Sequence, residues 1–259
     1  MQQTSDGGYV IAGTTLSFGA GHRDIYLIKT NAQGDTVWSR TYGGTDDDEG
    51  RFVQQTTDGG YVIVGFTWSF GAGSVDVYCV KTNAAGDTLW TRNYGGKYVD
   101  AGYSVQQTAD SGYIIAGRYS TSIGNLDVYL VRTNAGGDTL WTRTYGGPDA
   151  DLGFSICHTA DGGFISAGLT ESFGAGYQDV YAIKTDSLGS LCVAEEVSKP
   201  HIMSSRLAAT VTRSLPADAV VFDAMGRRVV SAKPGVYFVR DEGRGTGDVG
   251  RIRKVILQR

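Results

Sequence analysis

One passage recurs four times along this chain, at intervals of 51 or 52 residues. Its first copy reads Gln2-Gln3-Thr4-Ser5-Asp6-Gly7-Gly8-Tyr9-Val10-Ile11-Ala12-Gly13, then Asp24-Ile25-Tyr26-Leu27-Ile28-Lys29-Thr30-Asn31, then Gly34-Asp35-Thr36-Val37-Trp38-Ser39-Arg40-Thr41-Tyr42-Gly43-Gly44. The turn aspartate returns at Asp6, Asp58, Asp110 and Asp161, and the tryptophan at Trp38, Trp90 and Trp141. A fixed period of this size means a stack or ring of one supersecondary unit, because a single unit cannot bury both of its faces.

Each copy divides into four short runs. In the second copy they are Arg51–Thr56, Tyr61–Gly65, Asp76–Thr82 and Asp87–Tyr94. All are rich in β-branched and aromatic residues and bounded by Gly, Asp or Asn, as strands are. No window carries the apolar spacing of a helix. Asp58-Gly59-Gly60 suits a tight hairpin, and Asn83-Ala84-Ala85-Gly86 suits a type I turn closing on a left-handed glycine. Consecutive runs therefore pair as an antiparallel meander. The second run lacks strict alternation, which implies burial on both faces.

The expected fold is all-β: a β-propeller of four-stranded blades. About four blades fall in this chain, at 1–44, 45–96, 97–147 and 148–194. The repeated Trp and Tyr are expected to pack between blades. The first blade is clipped, since Met1 stands in the middle of a strand. The last is degraded: Gly189-Ser190-Leu191-Cys192-Val193-Ala194 replaces the usual Gly-Asp-Thr-Leu-Trp-Thr. A longer N-terminus is expected on that ground.

Charge divides the chain at the same place. Residues 1–194 hold 11 Lys and Arg against 20 Asp and Glu; residues 195–259 hold 12 against 7. An acidic repeat region argues against nucleic acid, whose phosphates need a basic surface. No apolar run is long enough for a transmembrane segment. Cys79, Cys157 and Cys192 have no CxxC spacing, so they carry neither a disulfide framework nor a zinc signature. Residues 195–214 read as a linker. Residues 215–259 hold three short strands, within Ala219–Val230, Pro234–Arg240 and Arg253–Arg259, and are expected to form a small β-sandwich-like module.

The strings Asp6–Gly13, Asp24–Asn31 and Gly34–Gly44 resemble secreted bacterial propeller repeats of uncharacterised function, in which "DGGYIIAG", "DVYLIKTD" and "GDTLWTRTYGG" strands recur. The resemblance covers residues 1–191 and speaks to fold, not to activity. The tail, with Phe222-Asp223-Ala224-Met225-Gly226-Arg227-Arg228-Val229 and Gly235-Val236-Tyr237-Phe238-Val239-Arg240, resembles the C-terminal sorting domain of the type IX secretion system of Bacteroidetes-like bacteria. That resemblance implies export by the type IX machinery, to the medium or the outer-membrane surface. A signal peptide is then expected upstream of Met1.

Catalytic signatures are missing from the sequence. His22, His158 and His201 show no metal-ligand spacing, and no nucleophile elbow, P-loop or zincin motif occurs. The candidate ligand surface comes from the meander itself. Loops joining second to third strands share a face with the links between blades. That face gathers Phe18, Trp68, Phe70 and Phe173 beside the carboxylates Asp46, Asp47, Asp48, Asp100, Asp149 and Asp151. Aromatic planes beside carboxylates suit sugars or cationic partners, and such carboxylates also suit Ca²⁺; no other cofactor is expected. A second candidate is a channel lined by the first strands, at Gln54 or Gln55, Gln106 or Gln107, and Cys157 or His158. The expected function is a non-catalytic, secreted or surface-held scaffold that binds a glycan, protein or matrix partner. The alternatives are a polysaccharide hydrolase or lyase using loop carboxylates, and a structural spacer or truncated gene product without activity of its own.

Overall fold

Every regular element among the described residues is a β-strand. The computed structural model describes residues 1–122, 124–174, 176–193, 210–212, 220–222, 235–240 and 252–257. Among them no helix is long and apolar enough to cross a membrane. The chain divides into two units, Met1–Lys199 and Pro200–Arg259.

The first unit is four antiparallel sheets of four strands, each in sequence order. The first sheet is β1 (Gln2–Gln3), β2 (Tyr9–Thr15), β3 (Asp24–Thr30) and β4 (Thr36–Tyr42). The second is β5 (Asp48–Gln55), β6 (Tyr61–Thr67), β7 (Asp76–Thr82) and β8 (Thr88–Tyr94). The third is β9 (Ala101–Gln107), β10 (Tyr113–Ser122), β11 (Asn125–Thr133) and β12 (Thr139–Tyr145). The fourth is β13 (Asp151–His158), β14 (Phe164–Thr170), β15 (Asp179–Thr185) and β16 (Leu191–Val193). These are the repeated meanders that the turn signals predict. The first hairpin turn of sheets one, two and four closes on Gly7, Gly59 and Gly162, each near φ +80°. The third sheet places Ser111 there at φ 65°, a region where a side chain is uncommon.

Second and third strands are the buried middle. Every residue of β6 and β7 is buried, which explains why β6 does not alternate. Sheets stack through two kinds of face. Val10, Ile25, Leu27 and Tyr42 of the first sheet meet Val53, Tyr61, Ile63, Tyr78 and Val80 of the second. Val62, Val64, Val77, Cys79 and Tyr94 of the second meet Val105, Tyr113, Ile115, Tyr129 and Val131 of the third. Ile114, Ala116, Val128, Leu130 and Tyr145 of the third meet Ile156, Phe164 and Ile183 of the fourth. Each such aliphatic side chain contributes roughly 1.5–3 kcal/mol by leaving water, so these junctions hold the unit together.

The outer strands clasp the junctions. The hydroxyls of Tyr42, Tyr94 and Tyr145 donate to the carbonyls of Gly86, Gly137 and Gly189 in the next sheet, at 2.7, 2.7 and 2.5 Å. Trp38, Trp90 and Trp141 lie against Tyr61, Tyr113 and Phe164, with ring centroids 5.8, 5.6 and 6.1 Å apart. At the opposite edge the first strands face one another. Gln55 and Gln107 amides donate to the side chains of Gln2 and Gln54, and Gln54 Nε2 donates to Gln106. Among the described residues, no strand of the first sheet packs on the fourth as extensively as neighbouring sheets pack on each other.

In the second unit, β17 (Thr210–Thr212), β18 (Val220–Phe222), β19 (Gly235–Arg240) and β20 (Ile252–Leu257) form one sheet, ordered β17-β20-β19-β18. The three tail strands read from sequence correspond to β18, β19 and β20. The linker expected at 195–214 lies outside the described residues except for Thr210–Thr212. That segment is a strand, paired parallel to β20, and not featureless chain. Local composition could not reveal it, because its partner lies about 45 residues away.

Candidate functional site

The loops after second strands do meet the links between sheets. The Trp68 amide donates to the Asp47 carbonyl at 2.9 Å. The Asp46 amide donates to Ser69 Oγ at 3.0 Å, and Ser69 Oγ donates to Asp48 at 2.7 Å. The fourth sheet repeats this, with Ser172 joining the Asp149 amide to Asp151 at 3.0 and 2.7 Å. Trp68 and Phe70 thus gather with Asp46, Asp47 and Asp48, and Phe173 gathers with Asp149 and Asp151. Phe18 and Asp100 belong to the first and third sheets. In the third sheet a β10–β11 hairpin replaces the longer loop. The ten residues form separate groups, sheet by sheet.

Their environments differ from a free acidic surface. Asp48, Asp100 and Asp151 are fully buried. They stand at the starts of first strands, not in the links. Asp48 and Asp151 are the first residues of β5 and β13, and Asp100 directly precedes β9. Each accepts the amide of a turn glycine: Gly44, Gly96 or Gly147, at 2.7, 2.6 and 2.8 Å. They cap the entry to a sheet. Among the loop aromatics, Phe18, Phe70 and Phe173 lie on Tyr26, Tyr78 and Tyr181 at centroid distances of 5.8, 5.5 and 5.5 Å. Trp68 meets Phe66 edge-on at 5.2 Å and stays partly open to solvent. Asp46 and Asp149 are exposed. Among the described residues no three His, Cys, Asp or Glu side chains converge as a metal centre would require.

One buried cap, Asp100, and the partly buried Asp127 have a pH consequence. Burial, and behind it the nearby Asp76 carboxylate, pushes Asp100 above the usual aspartate range. Burial, then Asp151, does the same to Asp127. Such groups penalise the fold when ionised, so stability is gained as pH falls through their folded pKa. The turn aspartates shift the other way. Hydrogen bonds from Thr4 and Lys29 lower Asp6, and those from Lys184 and Thr159 lower Asp161. Asp110 is held at about 2 by the Thr108 hydroxyl and then Arg132. Their stabilisation is present above the unfolded pKa and is lost as pH falls below it. Stability is therefore expected to rise as pH falls from neutral toward the unfolded aspartate pKa of about 3.9, and to be lost below it as the turn aspartates protonate, which melting curves across that range check. A melting curve that only declines from pH 7.5 to 5 would contradict this.

The opposite face holds a feature that the sequence reading did not single out. There the first hairpin turns lie beside the loops joining third to fourth strands. A groove of about 780 Å³ runs between the third and fourth sheets, past Asp110, Arg132, Leu140, Trp141, His158 and Leu188. A narrower groove of about 580 Å³ occupies the same place between the first and second sheets, past Asp6, Lys29, Trp38 and Gln55. Each aspartate pairs with a cation rooted in the sheet: Asp6 with Lys29 at 2.9 Å, and Asp110 with Arg132 at 2.6 Å. Leu140 and Leu188 are exposed along the wider groove.

One substitution distinguishes the wider groove. Gln55 and Gln107 each accept the amide of the preceding sheet's turn, from Ser5 and Thr57, at 2.8 Å. The next copy has His158 at this position. Its Nε2 turns to the Gln107 carbonyl at 3.0 Å and its ring lies 5.5 Å from Phe164, so the Ala109 amide lacks the equivalent bond. Sequence reasoning placed position 158 only as channel lining. The exchange of Gln for His within an otherwise regular repeat was the available signal. Comparison with known proteins adds nothing here: no family model matches the chain, and no curated protein matches it significantly.

Proposed function

We propose that the repeat unit is a β-propeller that works as a non-catalytic, secreted or surface-held binding scaffold and takes a glycan in the groove between the third and fourth sheets. The propeller reading is supported by first strands that meet along one edge through Gln2, Gln54 and Gln106, with Trp-bearing strands at the other. Export rests on the tail's resemblance to a sorting domain.

The observation that carries the ligand reading is the groove at His158. It joins the partly open Trp141 ring and the exposed aliphatics Leu140 and Leu188 to a fixed Asp110–Arg132 pair. Aromatic and aliphatic surface suits the C–H faces of a sugar, and the charged pair suits its hydroxyls. The same pair argues for binding over hydrolysis. A carboxyl held at about 2 is a poor proton donor or base near neutral pH.

A glycan array with the purified chain tests this. Binding is expected, and it should fall at least tenfold in Trp141→Ala. His158→Gln restores the residue of the other copies. It should raise stability by about 1 kcal/mol through the new bond to the Ala109 amide, while weakening the glycan. Failure of every glycan, or binding indifferent to both changes, overturns the proposal. Release of reducing ends from a bound polysaccharide would favour the hydrolase instead.

A further inference from the structure

In the second, third and fourth sheets the first strand holds one residue more than its partner. The register skips Arg51 between Gly50 and Phe52, Tyr103 between Gly102 and Ser104, and Phe154 between Gly153 and Ser155. Such bulges re-aim a side chain and recur beside functional sites. Here they bring three side chains into one row. The Arg51 guanidinium lies over Phe66 at 5.1 Å, Phe66 packs beside Tyr103, and Tyr103 meets Phe154 with ring centroids 5.4 Å apart. Phe154 is 46 % exposed.

The row coincides with a break in the repeat. Where the other copies have Thr14, Phe66 and Leu169, the third has Arg118. Arg118 is near enough to Tyr103 and to Asp100 to act on both electrostatically. Yet among the described residues its side chain makes no hydrogen bond or ion pair, and its Nε is buried without an acceptor. Asp100 does not supply one, since its oxygens accept the Gly96 and Ser120 amides at 2.6 and 2.8 Å. Arg51, by contrast, is paired with Glu49 at 2.8 Å. A buried donor left unmet is costly and calls for an acceptor from outside.

A guanidinium takes an oxyanion through paired N–H bonds, and an open aromatic face suits a ring. We propose that Arg118, Tyr103 and Phe154 form a binding site for a ring-bearing oxyanion, a carboxylate or sulfate whose oxygens meet the Arg118 guanidinium while the ring lies on Phe154. None of these residues lines the groove at His158, so the site stands apart from the glycan reading and does not rest on it.

NMR of the arginine Nε–H groups in the full chain tests this. The probes are glucuronate and a sulfated glucose; the controls are glucose, acetate and inorganic sulfate. The Arg118 signal, identified by its loss in Arg118→Lys, should shift with at least one acidic sugar, and the one that acts names the anion. Each control should bind at least about tenfold more weakly. Arg118→Lys keeps the charge but loses the planar fork, and should weaken binding by about tenfold in calorimetry. Phe154→Ala alters an exposed ring, so it should fold, as circular dichroism can verify, and should also weaken the acidic sugar. Arg40→Gln, which removes a guanidinium over Trp38, should leave binding unchanged. No shift with either acidic sugar overturns the proposal. A shift of equal size with acetate or inorganic sulfate means general screening by salt and overturns it too. Binding that survives Arg118→Lys, or that falls equally in Arg40→Gln, does the same. Binding indifferent to Phe154→Ala overturns the role given to the ring.

Discussion

Replacing Tyr94 with alanine is expected to lower the stability of the repeat unit by about 3–5 kcal/mol, the range for large aromatics lost from a core. Tyr94 is buried among Val77, Cys79, Val105, Tyr113 and Tyr129, at the junction of second and third sheets. Its hydroxyl is also the donor to the Gly137 carbonyl at 2.7 Å. Burial pushes that phenol far above its ordinary pKa, so it remains a donor at every accessible pH. Tyr94→Phe isolates the hydrogen bond. It keeps the ring and leaves the carbonyl unmet, at a cost of about 1–2 kcal/mol. Urea denaturation of the three proteins separates packing from clasp. A phenylalanine variant as unstable as the alanine variant would show that the ring contributes little and that the packing account is wrong.

The second large effect concerns one position of the repeat in two settings. Gly65→Ala is expected to cost about 2–3 kcal/mol, and Gly13→Ala less than about 0.5 kcal/mol. Both glycines occupy the same place in their copies, near the end of a second strand. In the second sheet the register shifts between Gly50 and Phe52, and the backbone of β5 crosses close over Gly65. A β-carbon there would run into the Glu49 carbonyl, which belongs to the main chain and cannot rotate away. In the first sheet β1 is only Gln2–Gln3, and the space beside Gly13 is open. Paired melting curves check the contrast. Equal costs at the two sites would mean that local strand preference, and not the crossing backbone, decides the matter.

That pair of glycines also shows where a sequence stops being informative. The meander could be read from residues because its causes are local: turn glycines at fixed offsets, β-branched runs between them, and a second run apolar on both sides. The roles of Trp90 and Tyr94 followed from periodicity, since a residue repeated in every unit is one that every unit uses to hold its neighbour. Asp48, Asp100 and Asp151 were harder. By spacing they sat in acidic links and looked available to ligands. The structure carries the first strands further back than the hydrophobic pattern suggested and folds these carboxylates onto turn amides. That outcome depends on Ser69, Ser120 and Ser172, about 20 residues away. The groove at His158 was within reach, because a break in a repeat is visible in the letters. What the letters could not show was that Gln55 and Gln107 grip the turn before them, so the meaning of the exchange was hidden.

The repeated clasp also gives the stack a direction. In every junction the earlier sheet supplies the hydroxyl and the later sheet the carbonyl. Each sheet is thus a socket on one side and a plug on the other, and the fittings are the same throughout. A sheet duplicated into the interior would find both neighbours already shaped for it, and a sheet deleted from the interior would leave two ends that still match. The number of units is therefore free to vary between descendants of such a chain without redesign of any junction, while the order of faces along the polypeptide is not.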